Sequence, residues 1–399
     1  MSGIFSPFSE GELIPKPERI EVAHKRGNFS IGIPKEMEFQ EKRICLTPDA
    51  VGVLTSNGHE VTIETGAGLG AHFTDNQYSE AGAMIAYDRK DVFSKPLVLK
   101  VEPPTTEEIE LMSVNAYLLS AMQLNTIKRI QIEKLAEKKI TALGFEKIRD
   151  DHNQLSIVRL IGEIAGINTI LVASELLSVS NGGNGLLMGG VAGLRPTEVV
   201  IIGAGTVGES AARAAIGLGC NVRIFDNSLT RLRRLQSLMN YRLSTSVIDP
   251  KELKKSLRRC DVAIGALRGN LRSPAVVSDD MVQSMKSGSV IIDVSIDTGG
   301  CFETSELTTH EKPTFIKHGV IHYGVSNITS RVSRTTSKAL SNFFLSYFLK
   351  FAEEGGFENM FSQNRGMRAG VYMYKGKVTS RQVAQWFEMP FNDINLFMF

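Results

Sequence analysis

From residue 30 onward, short apolar runs of strand length alternate with stretches whose apolar residues recur every three or four positions. SIGIPKE (30–36) reads as a strand, after which Thr47, Pro48 and Asp49 supply a helix start that Gly58 stops. HEVTIETG (59–66), PLVLKV (96–101) and AYLLSA (116–121) follow as strands. A helix is expected over 126–138, with Ile127, Ile130, Ile132 and Leu135 on one side, and TALGF (141–145) is the next strand. A helical stretch over 157–179 leads into the glycine-rich loop NGGNGLLMGGVAG (181–193), and a domain boundary is expected near that helix. Beyond it, EVVIIGAGTVGESAARAAIGLGCNVRIFD (198–226) reads as strand, glycine turn, helix and strand, with DVAIGAL (261–267) and SVIIDVSID (289–297) as further strands. Strands alternating with helices predict parallel sheets covered on both faces, hence an α/β protein with a second α/β domain.

Residues 334–354 carry Leu340, Phe343, Phe344, Tyr347, Phe348 and Phe351 at helical spacing, which reads as a packing surface and a route back to the first domain. The tail offers a hairpin about Lys375 and Gly376 and a short helix over 380–387.

Composition narrows the classes. Over 399 residues, 45 Lys+Arg against 43 Asp+Glu leave a net charge of +2, without the basic excess that nucleic acid or an anionic membrane surface would demand. Two or three domains are expected at roughly 150 residues each. Cys45, Cys220, Cys260 and Cys301 lie far apart, so neither a zinc spacing nor a disulfide framework follows, as suits a reducing cytoplasm. The first 28 residues carry acids and prolines where a secretory signal needs an apolar core. The apolar stretch 161–177 is interrupted by Glu163 and Glu175 and falls short of a membrane span.

The strongest chemical signal is Gly203, Gly205 and Gly208, directly after VVII and directly before a helix. Glycines let the backbone approach a pyrophosphate, which the free N–H groups and positive dipole end of the helix attract. A bare GxGxxG is often only a turn. Here Asp226 ends the next strand, 18 residues beyond Gly208, where a carboxylate accepts hydrogen bonds from a ribose and favours NAD over NADP. Arg231, Arg233 and Arg234 either pair with a phosphate or form a solvated helix face.

IGIPKEMEFQEKRICLTPDAV, LVLKVEPP, GGNGLLMGGVAG, IIGAGTVG, VIIDVSIDTGGCFETS, PTFIKHGVIHYGVSN and GVYMYKGKVTSRQVAQWF stand in an order that resembles the alanine dehydrogenase family across residues 30–395. The superfamily includes the NAD-binding component of proton-translocating transhydrogenase. The resemblance implies two Rossmann-like domains with the active-site cleft between them. The substrate domain would be built from 29–156 and 334–399, and the NAD domain from 157–333. It implies a cytoplasmic homo-oligomer, a hexamer by resemblance, acting on a small amino acid or 2-oxo acid, with neither nucleic acid nor membrane as partner.

Carried over residue by residue, the resemblance gives Arg43 and Lys100 to the substrate, Asp297 to the reacting carbon, Asp226 and Arg231 to the adenosine ribose, and Val325 and Asn327 to the nicotinamide. The chemistry suits these roles: Arg is a planar two-point clamp for a carboxylate, and Lys is a point charge whose pKa shifts when desolvated. Two departures stand out. The family carries a histidine after the strand that here reads AYLLSAMQL, and the matching residue is Gln123, which orients by hydrogen bonds but does not shuttle protons near neutral pH. GALRGN (265–270) replaces a longer apolar loop, which alters the cofactor contacts expected there. The expected activity is NAD-dependent oxidative deamination of L-alanine, with Asp297, Lys100 and water handling protons and Gln123 positioning. The rival readings are a hydride-transfer subunit of a transhydrogenase and a silent NAD-binding regulator.

Overall fold

The computed structural model describes residues 28–38, 40–124, 126–239, 242–269 and 272–398. Of the first 28 residues, only residue 28 is among them. Six strands open the chain: β1 (Ser30–Ile33), β2 (Glu60–Glu64), β3 (Met84–Ala86), β4 (Leu97–Leu99), β5 (Tyr117–Ser120) and β6 (Thr141–Gly144). Seven more follow: β7 (Glu198–Ile202), β8 (Asn221–Phe225), β9 (Ser244–Ser246), β10 (Val262–Gly265), β11 (Val290–Asp293), β12 (Thr314–Lys317) and β13 (Val320–Tyr323). The last pair, β14 (Val371–Tyr374) and β15 (Lys377–Val378), returns to the first sheet.

The first sheet runs β15-β14-β6-β5-β4-β1-β2-β3 and the second β12-β13-β11-β10-β7-β8-β9. Both are parallel in their centres; β14 and β15 pair antiparallel at one end of the first sheet, and β12 does so at the edge of the second. The central strands are buried but for Glu198 and rich in Val and Ile, as a sheet covered on two faces requires. The expected hairpin is present, with Lys375 at φ +45° and Gly376 at φ +81° forming the tight turn.

Two 21-residue helices, Ser156–Leu176 and Ser333–Glu353, carry the chain between the halves. Ile157 of the former packs in the core of the first sheet, whereas Ala165, Ile170, Val172 and Ala173 pack in that of the second. It is the one described helix long and apolar enough to cross a membrane, yet half of its apolar window is buried inside the protein. Leu340, Phe344, Phe348 and Phe351 of the latter are buried against the first sheet, the packing role expected of that aromatic stripe.

The helix expected over 126–138 is shorter, Arg129–Glu137. Short elements that periodicity did not reveal include the helices Asp75–Glu80, Arg89–Phe93 and Thr106–Leu111, each under two turns and hence too brief to show a period. All four cysteines are free and buried.

Candidate active site

The glycine turn follows β7 and opens the helix Thr206–Gly217. Gly203 has φ +118°, and a Cβ there would stand 2.3 Å from the carbonyl oxygen of Ala266. A Cβ on Gly208 would meet the Gly203 carbonyl oxygen at 1.9 Å, so this glycine lets helix and strand touch. Around Gly205 nothing lies within 4 Å of a Cβ, and as the N-cap it offers no side chain to the helix N–H groups. That is the cradle a pyrophosphate needs.

Asp226, just beyond β8, is buried. Its Oδ2 accepts from the Ala204 N–H and its Oδ1 from the Ser228 N–H, each at 2.7 Å. These bonds fix the carboxylate beside the glycine turn. It borders a cavity of about 390 Å³ lined by Asp226, Ser228, Arg231, Ile248, Leu267 and Val276, among others. A polar rim on apolar walls fits an adenosine, and each Asp226 oxygen keeps a second lone pair for a ribose hydroxyl. Arg231 stands 3.6 Å from Asp226, while Arg234 pairs with Glu209 at 2.8 Å and Arg233 lies on the exposed side of its helix.

Beyond β11, Asp297 sits on the turn Ile296–Thr298. It is open to solvent, yet enough protein surrounds it to displace most of its hydration: burial pushes its carboxyl up to about 6, against the pull of Arg268. Strand β10 is in register with β11, Gly265 opposite Asp293, so the loop after β10 lies beside the Asp297 turn. Ser295 Oγ donates to the Leu267 carbonyl at 2.7 Å and the Ser273 N–H to the Thr298 carbonyl at 2.7 Å, stitching the two together. Within GALRGN, Asn270 lies outside the described residues.

The first domain faces this edge with a network of buried charge. Arg43 donates from Nε and Nη2 to the two oxygens of Glu41 (2.7 and 2.5 Å), from Nη1 to Thr329 Oγ1 (3.0 Å), and from Nη2 to Glu102 Oε1 (3.4 Å). Gln123 Nε2 donates to Glu102 Oε2 at 3.0 Å. Burial alone would raise the Glu41 carboxyl, but the Arg43 guanidinium outweighs it and holds Glu41 at about 2. Burial, with Glu41 nearby, pushes the Glu102 carboxyl well above the usual carboxylate range.

Lys100 stands apart from that group. Its ammonium lies 2.7 Å from Glu108 and 3.5 Å from Glu36. Glu108 also closes the capping box of the helix Thr106–Leu111, accepting from the Thr105 N–H at 2.9 Å. Burial opposes the charge on Lys100, but Glu36 and Glu108 raise its pKa above the ordinary value. Burial pushes Glu36 up to about 7 even beside that ammonium.

Val325 is buried after β13, and Asn327 bridges the domains, donating to Glu41 Oε2 at 3.3 Å and lying 2.9 Å from His310 Nε2. The structure thus gathers Arg43, Gln123 and Asn327 into one network, sets Lys100 to one side, and places Asp297, Asp226, Arg231 and the glycines on the second domain's edge. Glu41, Glu102 and His310 were not singled out by sequence. Only the two prolines after Glu102 marked the bend of the chain at that point.

Fold and turn together define a two-domain α/β protein of the dinucleotide-binding class. The chain belongs to the alanine dehydrogenase/PNT family: the N-terminal domain model matches residues 32–165 and the C-terminal one 169–381. Among curated relatives, alanine dehydrogenase 2 of Staphylococcus aureus (strain USA300) is 38% identical over 368 residues, 92% of this chain and 98% of the relative. A solved L-alanine dehydrogenase superposes with a TM-score of 0.83 at 36% identity, over 90% of this chain and 99% of that one. A transhydrogenase from Sinorhizobium meliloti, 23% identical with a TM-score of 0.75 over 88% and 99% of the two chains, shares the fold.

Proposed function

We propose that the protein is an NAD-dependent alanine dehydrogenase, converting L-alanine and water to pyruvate and ammonium and running reversibly. The observation that carries this reading is similarity along nearly the whole chain to alanine dehydrogenases, on a fold whose dinucleotide cradle and Asp297 share one edge. The bound nicotinamide supplies the hydride acceptor. Gly203, Gly205 and the N-terminus of the helix Thr206–Gly217 hold the pyrophosphate, and Asp226 accepts from the ribose, which selects NAD. Val325 and Asn327 border the nicotinamide.

Asp297 takes a proton from the water that adds to the substrate imine and returns it to the departing amine. A carboxyl near 6 suits that exchange, because it gives and accepts protons near neutrality. Arg43 and Lys100 hold the substrate's carboxylate and its oxo or amino group, and Glu102, which Arg43 and Gln123 both approach, orients Gln123 toward the substrate. Exposed Ile167 and Leu171 on the helix Ser156–Leu176, with Leu186, Leu187 and Leu194 nearby in sequence, support a homo-oligomer, and the free buried thiols support a cytoplasmic setting.

The test is NADH absorbance with purified protein, L-alanine and NAD, repeated in reverse with pyruvate, ammonium and NADH. Alanine-dependent NADH formation is expected; tight NADH binding with no turnover in either direction overturns the reading.

A further inference from the structure

One loop of the second domain reaches the first and carries an imidazole there. This loop, 308–313, precedes β12 and is braced on the chain that follows β13. The Thr308 N–H donates to the Gly324 carbonyl at 2.9 Å, the Gly324 N–H to Thr308 Oγ1 at 3.1 Å, and Thr308 Oγ1 to the Pro313 carbonyl at 2.9 Å. Thr308 also forms a bridge with Val325. Gly324 permits this approach, since a Cβ there would stand 2.2 Å from the Glu306 carbonyl oxygen. The loop therefore holds His310 in a fixed place beside Asn327.

His310 touches both domains. Its backbone N–H donates to Gln40 Oε1 at 2.8 Å in the first domain, where Gln40 adopts φ +53°. Its Nε2 lies 2.9 Å from Asn327 Oδ1. The neighbours decide which atom of that pair donates. Glu41 meets the Arg43 guanidinium with both oxygens and takes further donors from the Lys42 N–H at 3.0 Å and from Ser330 Oγ at 3.1 Å, so it acts as a carboxylate that only accepts. Asn327 must therefore turn its NH2 group to Glu41 Oε2, 3.3 Å away, and its carbonyl oxygen to His310. An amide oxygen accepts, which assigns the hydrogen to His310 Nε2. The bonds then run from His310 Nε2–H to Asn327 Oδ1 and from Asn327 Nδ2 to Glu41 Oε2, the same oxygen to which Arg43 Nη2 donates at 2.5 Å.

We propose that His310 is a positioning residue for the reaction: it fixes the Asn327 amide and, through Glu41, the guanidinium of Arg43, so that the nicotinamide side and the substrate side of the cleft are set together. The inference rests on the dehydrogenase reading for the roles of Asn327 and Arg43. Without the Nε2 donor, the Asn327 amide loses the bond that turns its Nδ2 toward Glu41, and Glu41 Oε2 loses a donor in turn. Arg43 is then held by a looser partner, and the carboxylate of a 2-oxo acid meets a guanidinium out of place. The bracing of the loop and the bond to Gln40 do not use the imidazole, so removing the ring's donor leaves those contacts intact.

The experiment uses oxamate, an unreactive 2-oxo-acid analogue, titrated calorimetrically into the full-length protein saturated with NADH. His310→Phe keeps an aromatic ring and removes the donor, His310→Gln returns an amide N–H about as far along the side chain as Nε2, and His310→Asn places it one bond short. Oxamate should weaken about tenfold in the Phe and Asn variants, with a matching rise in KM for pyruvate, and stay within about threefold of wild type in His310→Gln. Asn327→Ala should weaken oxamate at least as much as His310→Phe, and the double variant no more than Asn327→Ala alone, because His310 then has nothing to orient. Losses that multiply in the double variant, unchanged affinity in His310→Phe, or equal losses in the Gln and Asn variants overturn the role, as does wild-type protein that binds no oxamate. If the Phe variant does not fold, the Gln and Asn pair decides. Failure of this pattern in a protein that makes NADH from alanine removes the positioning role alone, whereas the pattern without alanine-dependent NADH keeps that role and removes the alanine reading.

Discussion

Gln123 donates from Nε2 to Oε2 of Glu102 at 3.0 Å, while Arg43 approaches the other oxygen of that carboxylate at 3.4 Å. One buried carboxylate therefore connects Arg43 of the KRICLTP segment to Gln123 beyond β5. Gln123 adopts φ +22°, an uncommon conformation for a residue with a side chain, and its carbonyl accepts from the Thr126 N–H at 2.8 Å. The side chain is thus aimed by its neighbours.

That arrangement predicts a modest role for Gln123. Gln123→Ala should lower alanine turnover by about one or two kcal/mol, roughly five- to thirtyfold, the worth of a neutral hydrogen bond and its lost partner. Gln123→His should not exceed wild type, because Glu102 and Arg43 are not placed to orient an imidazole. Steady-state rates of the three proteins under identical conditions check this; a histidine variant faster than wild type contradicts it.

Asp297→Asn should keep the fold while reducing kcat on the order of a hundredfold or more, the usual contribution of a positioned acid or base. With its carboxyl near 6 in the folded protein, Asp297 is ionised above that pH and protonated below it. Deamination, which needs the ionised form first, should therefore lose rate as pH falls through about 6. The asparagine variant should lack that limb of the pH profile.

Glu41→Gln should destabilise the protein by about 3 kcal/mol, because it leaves the buried Arg43 charge without its main partner. The native Glu41 carboxyl, held at about 2, lies below its ordinary value of 4.5. Its stabilising contribution is fully present above about 4.5 and fades as pH falls through 2. Urea unfolding at pH 7 should show the deficit, and the gap between variant and wild type should narrow toward pH 3.

Cofactor choice follows from Asp226, whose buried carboxylate would repel a 2′-phosphate. Catalytic efficiency with NAD should exceed that with NADP by at least tenfold, and Asp226→Ser should shrink the ratio mainly by losing NAD affinity. Equal efficiency with both cofactors in the wild type would assign Arg231 to the phosphate.

The sequence by itself determined what depends on neighbours along the chain. Strand, glycine turn, helix and terminal acid from 198 to 226 are one local unit, so Gly203, Gly205, Gly208 and Asp226 were legible as a dinucleotide site, and the aromatic stripe over 334–354 announced a packed helix. Periodicity likewise marked the parallel strands, because a strand buried on both faces has a continuous apolar run. Which carboxylates surround each cation was decided only by tertiary structure: folding sets Arg43 against Glu41 and Glu102, and Lys100 against Glu108 and Glu36. Charge is written in the residue, whereas its availability depends on partners brought from as far away as Thr329, 286 positions along the chain from Arg43, and on how much water burial removes.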